Sequence, residues 1–437
     1  MRIEVDRIIF SDDSREVLEN IESFVFVKTK LNEKYIDEVE NSGAKIITPL
    51  ELKSHSKTMP KIIGITGTNG KTTTACCIYS LLLSLGFKVA LLGTRGFFIN
   101  DKQILPKGLT TPTLLELYND IKIALDYHCD YFIMEVSSHA IAQNRIEGLD
   151  FALKILTNIT ADHLDFHKNI EEYERVKNSF FSDESVKLIN KDSKNARFNV
   201  INTWTYGIEN SANLALSAYS LKDSISGHII WNDFKNKTKE ESMFSSILVG
   251  KYNLYNILAS IAAVKILNPN IELKNITAAL DDFGGVEGRA QVVWNNPLVI
   301  VDFAHTADGM KNIFEAFIGQ KIKVLFGAGG DRDKTKRPKM GEIASIFATK
   351  IYLTSDNPRS ENKEAIIADI LSGIKNTDKV VIEADRARAI ALALSELNGD
   401  EILLILGKGD ESYQIIGEDK IPFSDKIEVE HFYQMDS

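Results

Sequence analysis

The chain has 437 residues, 44% of them hydrophobic and 26% charged, with a formal net charge of −10. Those proportions exclude a disordered or fibrous protein, and the acidic balance argues against nucleic acid as a partner. At about 100–200 residues per domain, the length calls for two to four domains. No apolar run reaches the roughly 18 residues that suggest a membrane helix; the best, residues 81–93, is broken by Gly86 and Lys88. The opening Met-Arg-Ile-Glu-Val-Asp puts charge where a signal peptide needs an apolar core. Three cysteines, Cys76, Cys77 and Cys129, form no CxxC pair. A cytoplasmic chain with no membrane insertion is expected.

The first 59 residues are charge-rich, with one β-like run at 24–28, and end in a polar stretch, 53–60, that reads as a linker. The signal then sharpens. Residues 61–66 form a compact apolar strand pattern, followed by a glycine turn and a helix pattern over 71–85. A strand at 88–93, a helix at 114–127 and a strand at 130–136 come next. A further strand is expected at 154–159. Such alternation argues for a parallel sheet flanked by helices. Residues 205–250 lose the rhythm and read as polar strands and turns, a small antiparallel addition. After Gly285, strand patterns start near Leu298, Ile322, Lys350, Lys379 and Glu401, with helix patterns between them. That spacing suits successive βα units of a Rossmann-like domain. An α/β chain of three domains is expected: a short N-terminal one at 1–58, a central P-loop-type, mostly parallel one at 59–285, and a Rossmann-like one at 286–437.

The strongest local signal is Gly64-Ile-Thr-Gly67-Thr68-Asn69-Gly70-Lys71-Thr72-Thr73, between a strand and a helix. Glycines let backbone N–H groups turn onto phosphate oxygens, and the helix N-terminus adds partial positive charge. Lys71 suits the β/γ phosphates and the Thr72 hydroxyl suits Mg²⁺. The spacing departs from the general P-loop, which wants glycine where Ile65 stands. The loop alone does not separate a motor, a switch and a transferase.

Further segments decide. GTNGKTT, MEVSSH (134–139), NITADHLDFH (158–167), GKYNLYN (250–256), GRAQ (288–291), VDFAHT (301–306), GGDRDKTKRP (329–338) and DNPR (356–359) occur in this order. Together they resemble the Mur ligase family, most closely its diaminopimelate-adding members. The resemblance implies an N-terminal domain for the UDP end of the substrate, a central ATPase and a C-terminal domain for the amino acid. It implies that a carboxylate is phosphorylated by ATP, and that an amine attacks the acyl phosphate, in peptidoglycan precursor synthesis. Two anions must then meet, and like unit charges about 4 Å apart repel by about 4 kcal/mol at an effective dielectric near 20. Mg²⁺ and Lys71 remove that barrier.

The resemblance also assigns residues. Glu135, near the end of a parallel strand, and His163 match metal ligands, beside Thr72, while His167 reads as structural. Lys177, in Tyr173-Glu-Arg-Val-Lys177, matches the family lysine carbamylated by CO₂; its plain alternative is a solvated helix lysine. Gly67, Thr68, Asn69, Gly70, Lys71, Thr72, Thr73, Asn256, Arg289 and Asp302 match ATP contacts, and His305 follows Asp302 at the end of the first C-terminal strand. Ser14, Thr110, Thr111, Ser137, Gln143 and Arg145 match contacts to the UDP-muramoyl dipeptide. The N-terminal domain is shorter than usual, and the glycine-rich segment after the first strand is missing.

For the incoming amine, Asp356, Asn357, Pro358 and Arg359 resemble the meso-diaminopimelate signature, with Arg332, Gly407 and Glu411. Diaminopimelate carries a carboxylate that lysine lacks, and a guanidinium fork suits it. Glu411 suits the distal ammonium. Relatives commonly carry His where Asp410 stands. A monomer acting on small molecules is expected. The alternatives are a lysine-adding relative, a folylpolyglutamate synthase-like ligase, and a nucleotide-binding switch; the last would need no second metal site.

Overall fold

The computed structural model describes residues 1–5, 7–54, 59–221 and 224–435. Its first sheet has four strands, Arg2–Val5, Ile8–Ser11, Phe24–Val27 and Lys45–Ile47, in that order; the first pair is antiparallel and the rest parallel. Only the third was legible in the sequence, because strands of three or four residues leave too little alternation to count. Helix Pro49–Ser54 runs into the expected linker. Residues 55–58 of that linker, and the expected border after 58, lie outside the described residues.

The central sheet has eleven strands, and Lys61–Thr66 lies in its interior between Phe151–Leu156 and Tyr131–Glu135, parallel to both. Strand side chains alternate between the two faces. Ile63 and Ile65 accordingly join a core with helices Lys71–Ser84 and Lys251–Leu267, while Ile62 joins Leu117, Ile121, Tyr173 and Phe180 on the other face. Burial on both faces explains the unbroken apolar run of this strand. The lost rhythm near 205 has its counterpart in Ile225–Asp233 and Thr238–Ser246, the two antiparallel strands that finish one edge. At the other edge, Gly96–Ile99 and Lys102–Leu105 add an antiparallel pair that was not expected. The strand expected at 154–159 is displaced to Phe151–Leu156. The chain leaves the sheet at Thr157, whose Oγ1 donates to Asn69 O at 2.6 Å, with Asn158 Nδ2 donating to the same oxygen at 3.0 Å.

The third sheet runs in the order Gln291–Asn295, Leu298–Asp302, Glu401–Leu406, Lys321–Phe326, Lys350–Leu353, Val380–Ile382, and all but the first strand are parallel. The five expected strands are present. Gln291–Asn295 precedes them, so Leu298–Asp302 is the second strand of this region rather than the first. Helices Ala307–Glu315, Lys336–Phe347 and Lys363–Leu371 cover one face, and Arg386–Ser395 and Asp425–Met435 the other. Among the described residues, no helix is long and apolar enough to cross a membrane.

Candidate active site

The phosphate loop joins Lys61–Thr66 to helix Lys71–Ser84 at the carboxyl ends of parallel strands, where α/β sheets place ligands. Gly67 has φ 153° and Gly70 φ 86°. A Cβ on Gly67 would stand 1.8 Å from Thr157 Oγ1, and one on Gly70 2.3 Å from Asn256 Oδ1. Glycine is required at both positions. Lys71 Nζ folds back to donate to Gly67 O at 2.8 Å and Thr68 O at 2.9 Å. Lys177 Nζ donates to the same Gly67 O at 2.9 Å and to Thr66 Oγ1 at 3.3 Å. Two amines thus share one carbonyl. Burial pushes both below the ordinary lysine value; Lys71 adds to the effect on Lys177, which lies well below, while Glu135 and Asp162 oppose it at Lys71. Lys177 is 1% exposed, which overturns the solvated-lysine alternative.

Glu135, the last residue of its strand and 2% exposed, accepts Thr72 Oγ1 at 2.9 Å on Oε2 and the Thr94 N–H at 2.8 Å on Oε1. The proposed hydroxyl and carboxylate ligands are therefore in contact. His163 sits at φ 52° with its ring 5.0 Å from that of His139. Burial pushes the imidazole down, against the pull of Asp162, towards the neutral form that a metal ligand needs. His167 is buried with Nε2 2.9 Å from Ser138 Oγ. Among the described residues, no group of three or more His, Cys, Asp or Glu is placed to hold a metal. The expected set has only Glu135 and His163 of those types; a threonine hydroxyl and a modified lysine complete it.

On the acceptor side, Thr111 Oγ1 donates to Glu135 O at 2.8 Å and accepts the Ser137 N–H at 3.0 Å. Arg145 donates to Thr111 O at 2.7 Å and, through Nη2, to Gln143 Oε1 at 2.6 Å. Thr111, Ser137, Gln143 and Arg145 thus form one cluster beside Glu135, with Thr110 Oγ1 3.4 Å from Thr94 Oγ1. Ser14 is buried at the start of helix Ser14–Glu19, which Asp13 caps. On the nucleotide side, Asn256 is buried and accepts Thr74 Oγ1 at 3.3 Å. The Arg289 guanidinium lies 4.3 Å from the Phe303 ring centroid. Asp302 accepts the N–H groups of Ala290 at 2.6 Å and Ala304 at 2.7 Å, and His305 is exposed.

On the amine side, Asn357 Nδ2 donates to Glu411 Oε2 at 2.9 Å. Lys408, 0% exposed and missed in the sequence, donates to the same Oε2 at 3.0 Å and to Asn357 Oδ1 at 3.2 Å. The distal ammonium expected at Glu411 therefore meets a carboxylate that already has an internal cation. Arg359 adopts φ 51° and donates to Gly330 O at 2.7 Å. Asp356 is buried, and a Cβ on Gly407 would come within 2.6 Å of its Oδ2. Arg332 is exposed in a cleft of about 680 Å³ lined also by Leu164 and Lys168 of the central region. Beneath these loops a fully buried Arg386–Asp425 pair, at 2.7 Å, ties Ser355 O and Leu406 O together.

Residues 65–264 match the Mur ligase middle domain, and residues 288–409 match the Mur ligase glutamate ligase domain. The chain belongs to the Mur ligase family. This Mur ligase is 58% identical, over 97% of its own length and 95% of the relative's, to the "UDP-N-acetylmuramoyl-L-alanyl-D-glutamate--2,6-diaminopimelate ligase" of Helicobacter pylori strain J99. A Helicobacter hepaticus protein of the same name is 56% identical over 94% of the chain and 89% of the relative. A solved structure of a protein with that name superposes with a TM-score of 0.67 at 26% identity, covering 99% of this chain and 97% of the other.

Proposed function

We propose that this Mur ligase joins meso-diaminopimelate to UDP-N-acetylmuramoyl-L-alanyl-D-glutamate at the cost of ATP, as a cytoplasmic monomer supplying peptidoglycan precursors. The observation that carries the reading is the meeting of Glu411 with Asn357 of the DNPR turn, in a chain 58% identical over 97% of its length to a relative named for that reaction. The working units are an N-terminal domain to about residue 58, a central domain to about 285 and a C-terminal domain beyond.

Lys71 and the amides of Gly67, Thr68, Asn69, Gly70, Thr72 and Thr73 hold the phosphates of ATP, with Asn256, Arg289, Asp302 and His305 around the rest of the nucleotide. Thr72, Glu135, His163 and Lys177 fit a Mg²⁺ site. A buried lysine forced towards its neutral form is a competent nucleophile for CO₂, and the carbamate replaces one of two competing amines with anionic oxygens. The metal offsets negative charge where phosphate and carboxylate meet. Thr110, Thr111, Ser137, Gln143 and Arg145, with Ser14 towards the UDP end, orient the acceptor carboxylate at the γ-phosphorus. Transfer gives an acyl phosphate and ADP; attack by the amine forms the amide and releases phosphate. Arg359 and Arg332 select the diaminopimelate carboxylate, with Asp356, Asn357, Pro358 and Gly407 shaping the pocket and Glu411 taking the ammonium end.

Phosphate release, measured with the UDP-muramoyl dipeptide plus either diaminopimelate or lysine, tests the reading. Release with diaminopimelate and not with lysine is expected. Release with lysine alone would transfer the assignment to a lysine-adding enzyme. Release requiring neither substrate would favour a nucleotide switch.

A further inference from the structure

A lysine without a role in the reaction above makes a close link between the central and C-terminal sheets. Lys336 opens helix Lys336–Phe347 in the segment GGDRDKTKRP, and its Nζ reaches Asp162 Oδ1 at 2.5 Å. Asp162 is buried and directly precedes His163. Its Oδ1 also accepts the His163 N–H at 2.8 Å, and its Oδ2 lies 3.5 Å from His163 Nε2. One carboxylate therefore braces both the backbone and the ring of a proposed metal ligand. His163 needs the brace, because φ 52° is a left-handed conformation that residues with a Cβ adopt at a cost.

A second contact falls on the same segment. Asp308, in the first turn of helix Ala307–Glu315, accepts Asn69 Nδ2 at 2.8 Å and Thr160 Oγ1 at 3.1 Å. The phosphate loop and the turn leading to His163 are both held from the C-terminal sheet. Without that sheet docked, Asp162 loses its cation and the turn loses Asp308.

We propose that Lys336 is a positioning residue: by docking on Asp162 it sets His163, so that the phosphoryl-transfer site is completed only when the domain bearing the amine is seated. Such an arrangement withholds ATP cleavage until the nucleophile is at hand, which keeps the acyl phosphate from water. The inference deepens the ligase reading and rests on it.

The test uses the full chain with Lys336→Ala, Lys336→Arg and Asp162→Asn. Mn²⁺ binding to the protein saturated with a non-hydrolysable ATP analogue, read by electron paramagnetic resonance, needs no turnover. Mn²⁺ affinity should fall about 10-fold in Lys336→Ala and Asp162→Asn and recover to within about 3-fold in Lys336→Arg, as for other groups that orient a metal ligand. In steady state, kcat should fall about 10–100-fold while KM for diaminopimelate stays within about 2-fold. Unchanged Mn²⁺ affinity in a folded Lys336→Ala protein, or a raised amine KM at unchanged kcat, would overturn the proposal. If the wild-type chain itself fails to bind Mn²⁺ with the nucleotide, the ligase reading falls too.

Discussion

The phosphate loop and the DNPR pocket are both built at the carboxyl ends of parallel strands, yet their polar groups are paired differently. At the loop, Lys71 and Lys177 crowd one carbonyl oxygen, and burial disfavours charge on both amines. At the pocket, Asn357, Lys408 and Glu411 satisfy one another, and a buried Arg386–Asp425 pair supports them from below. On the proposed function, the first site receives the phosphates of ATP, and a carbamate at Lys177 would relieve the crowding of two amines. On the same proposal, the second would give up some of these internal bonds when it admits the amine. The proposed pairing of the extra carboxylate with Arg359 would compensate for that loss.

The contrast can be broken at several points. Lys177→Ala should lower kcat by about 10³-fold, the scale of losing a preorganised charge-stabilising group, with no rescue by added bicarbonate. Full activity in that variant would remove Lys177 from the site. Asp425→Ala leaves Arg386 buried without its partner and should destabilise the chain by about 3–5 kcal/mol in urea unfolding. Arg359→Ala should cost about 2–3 kcal/mol in kcat/KM for diaminopimelate, a loss of about 100-fold, because the substrate carboxylate loses its guanidinium partner. A loss of that size in a single-turnover assay of ATP cleavage alone would place Arg359 elsewhere.

The smallest effect lies away from both sites. Asp120, 4% exposed on helix Leu114–Asp126, is pushed up by burial to about 7. A raised folded value means that the native state binds the proton more tightly than the unfolded chain. The contribution is fully present below the ordinary aspartate range near pH 4 and is lost as pH rises towards 7. Asp120→Asn should therefore raise stability at pH 8 by about 1–3 kcal/mol, with a smaller gain at pH 5. Equal Tm changes at both pH values would contradict the assignment.

Much of this was legible in the sequence, for definable reasons. The phosphate loop announces itself because Gly67 and Gly70 answer to close approaches by Thr157 and Asn256 that no other residue survives. Leu298–Asp302, Lys350–Leu353 and Glu401–Leu406 show because they are largely buried apolar runs, whereas Gln291–Asn295 at the sheet edge is half exposed and leaves no such run. Lys177 was harder: it lies in EEYERVK, a stretch as polar as any exposed helix, and only the family resemblance singled it out. The pairing of Lys336 with Asp162 spans 174 positions and has no periodic trace, although both residues stood inside quoted motifs. Lys408 escaped notice because a lysine between two glycines reads as a loop cation, whereas the fold buries it against Glu411.

The proposed ligation requires activation of the acceptor carboxylate by phosphoryl transfer. Labelling that carboxylate with ¹⁸O and analysing the inorganic phosphate by mass spectrometry tests it most directly. Transfer of an ¹⁸O atom from substrate to phosphate, dependent on diaminopimelate, is the predicted result. Phosphate released at the normal rate without label would contradict it.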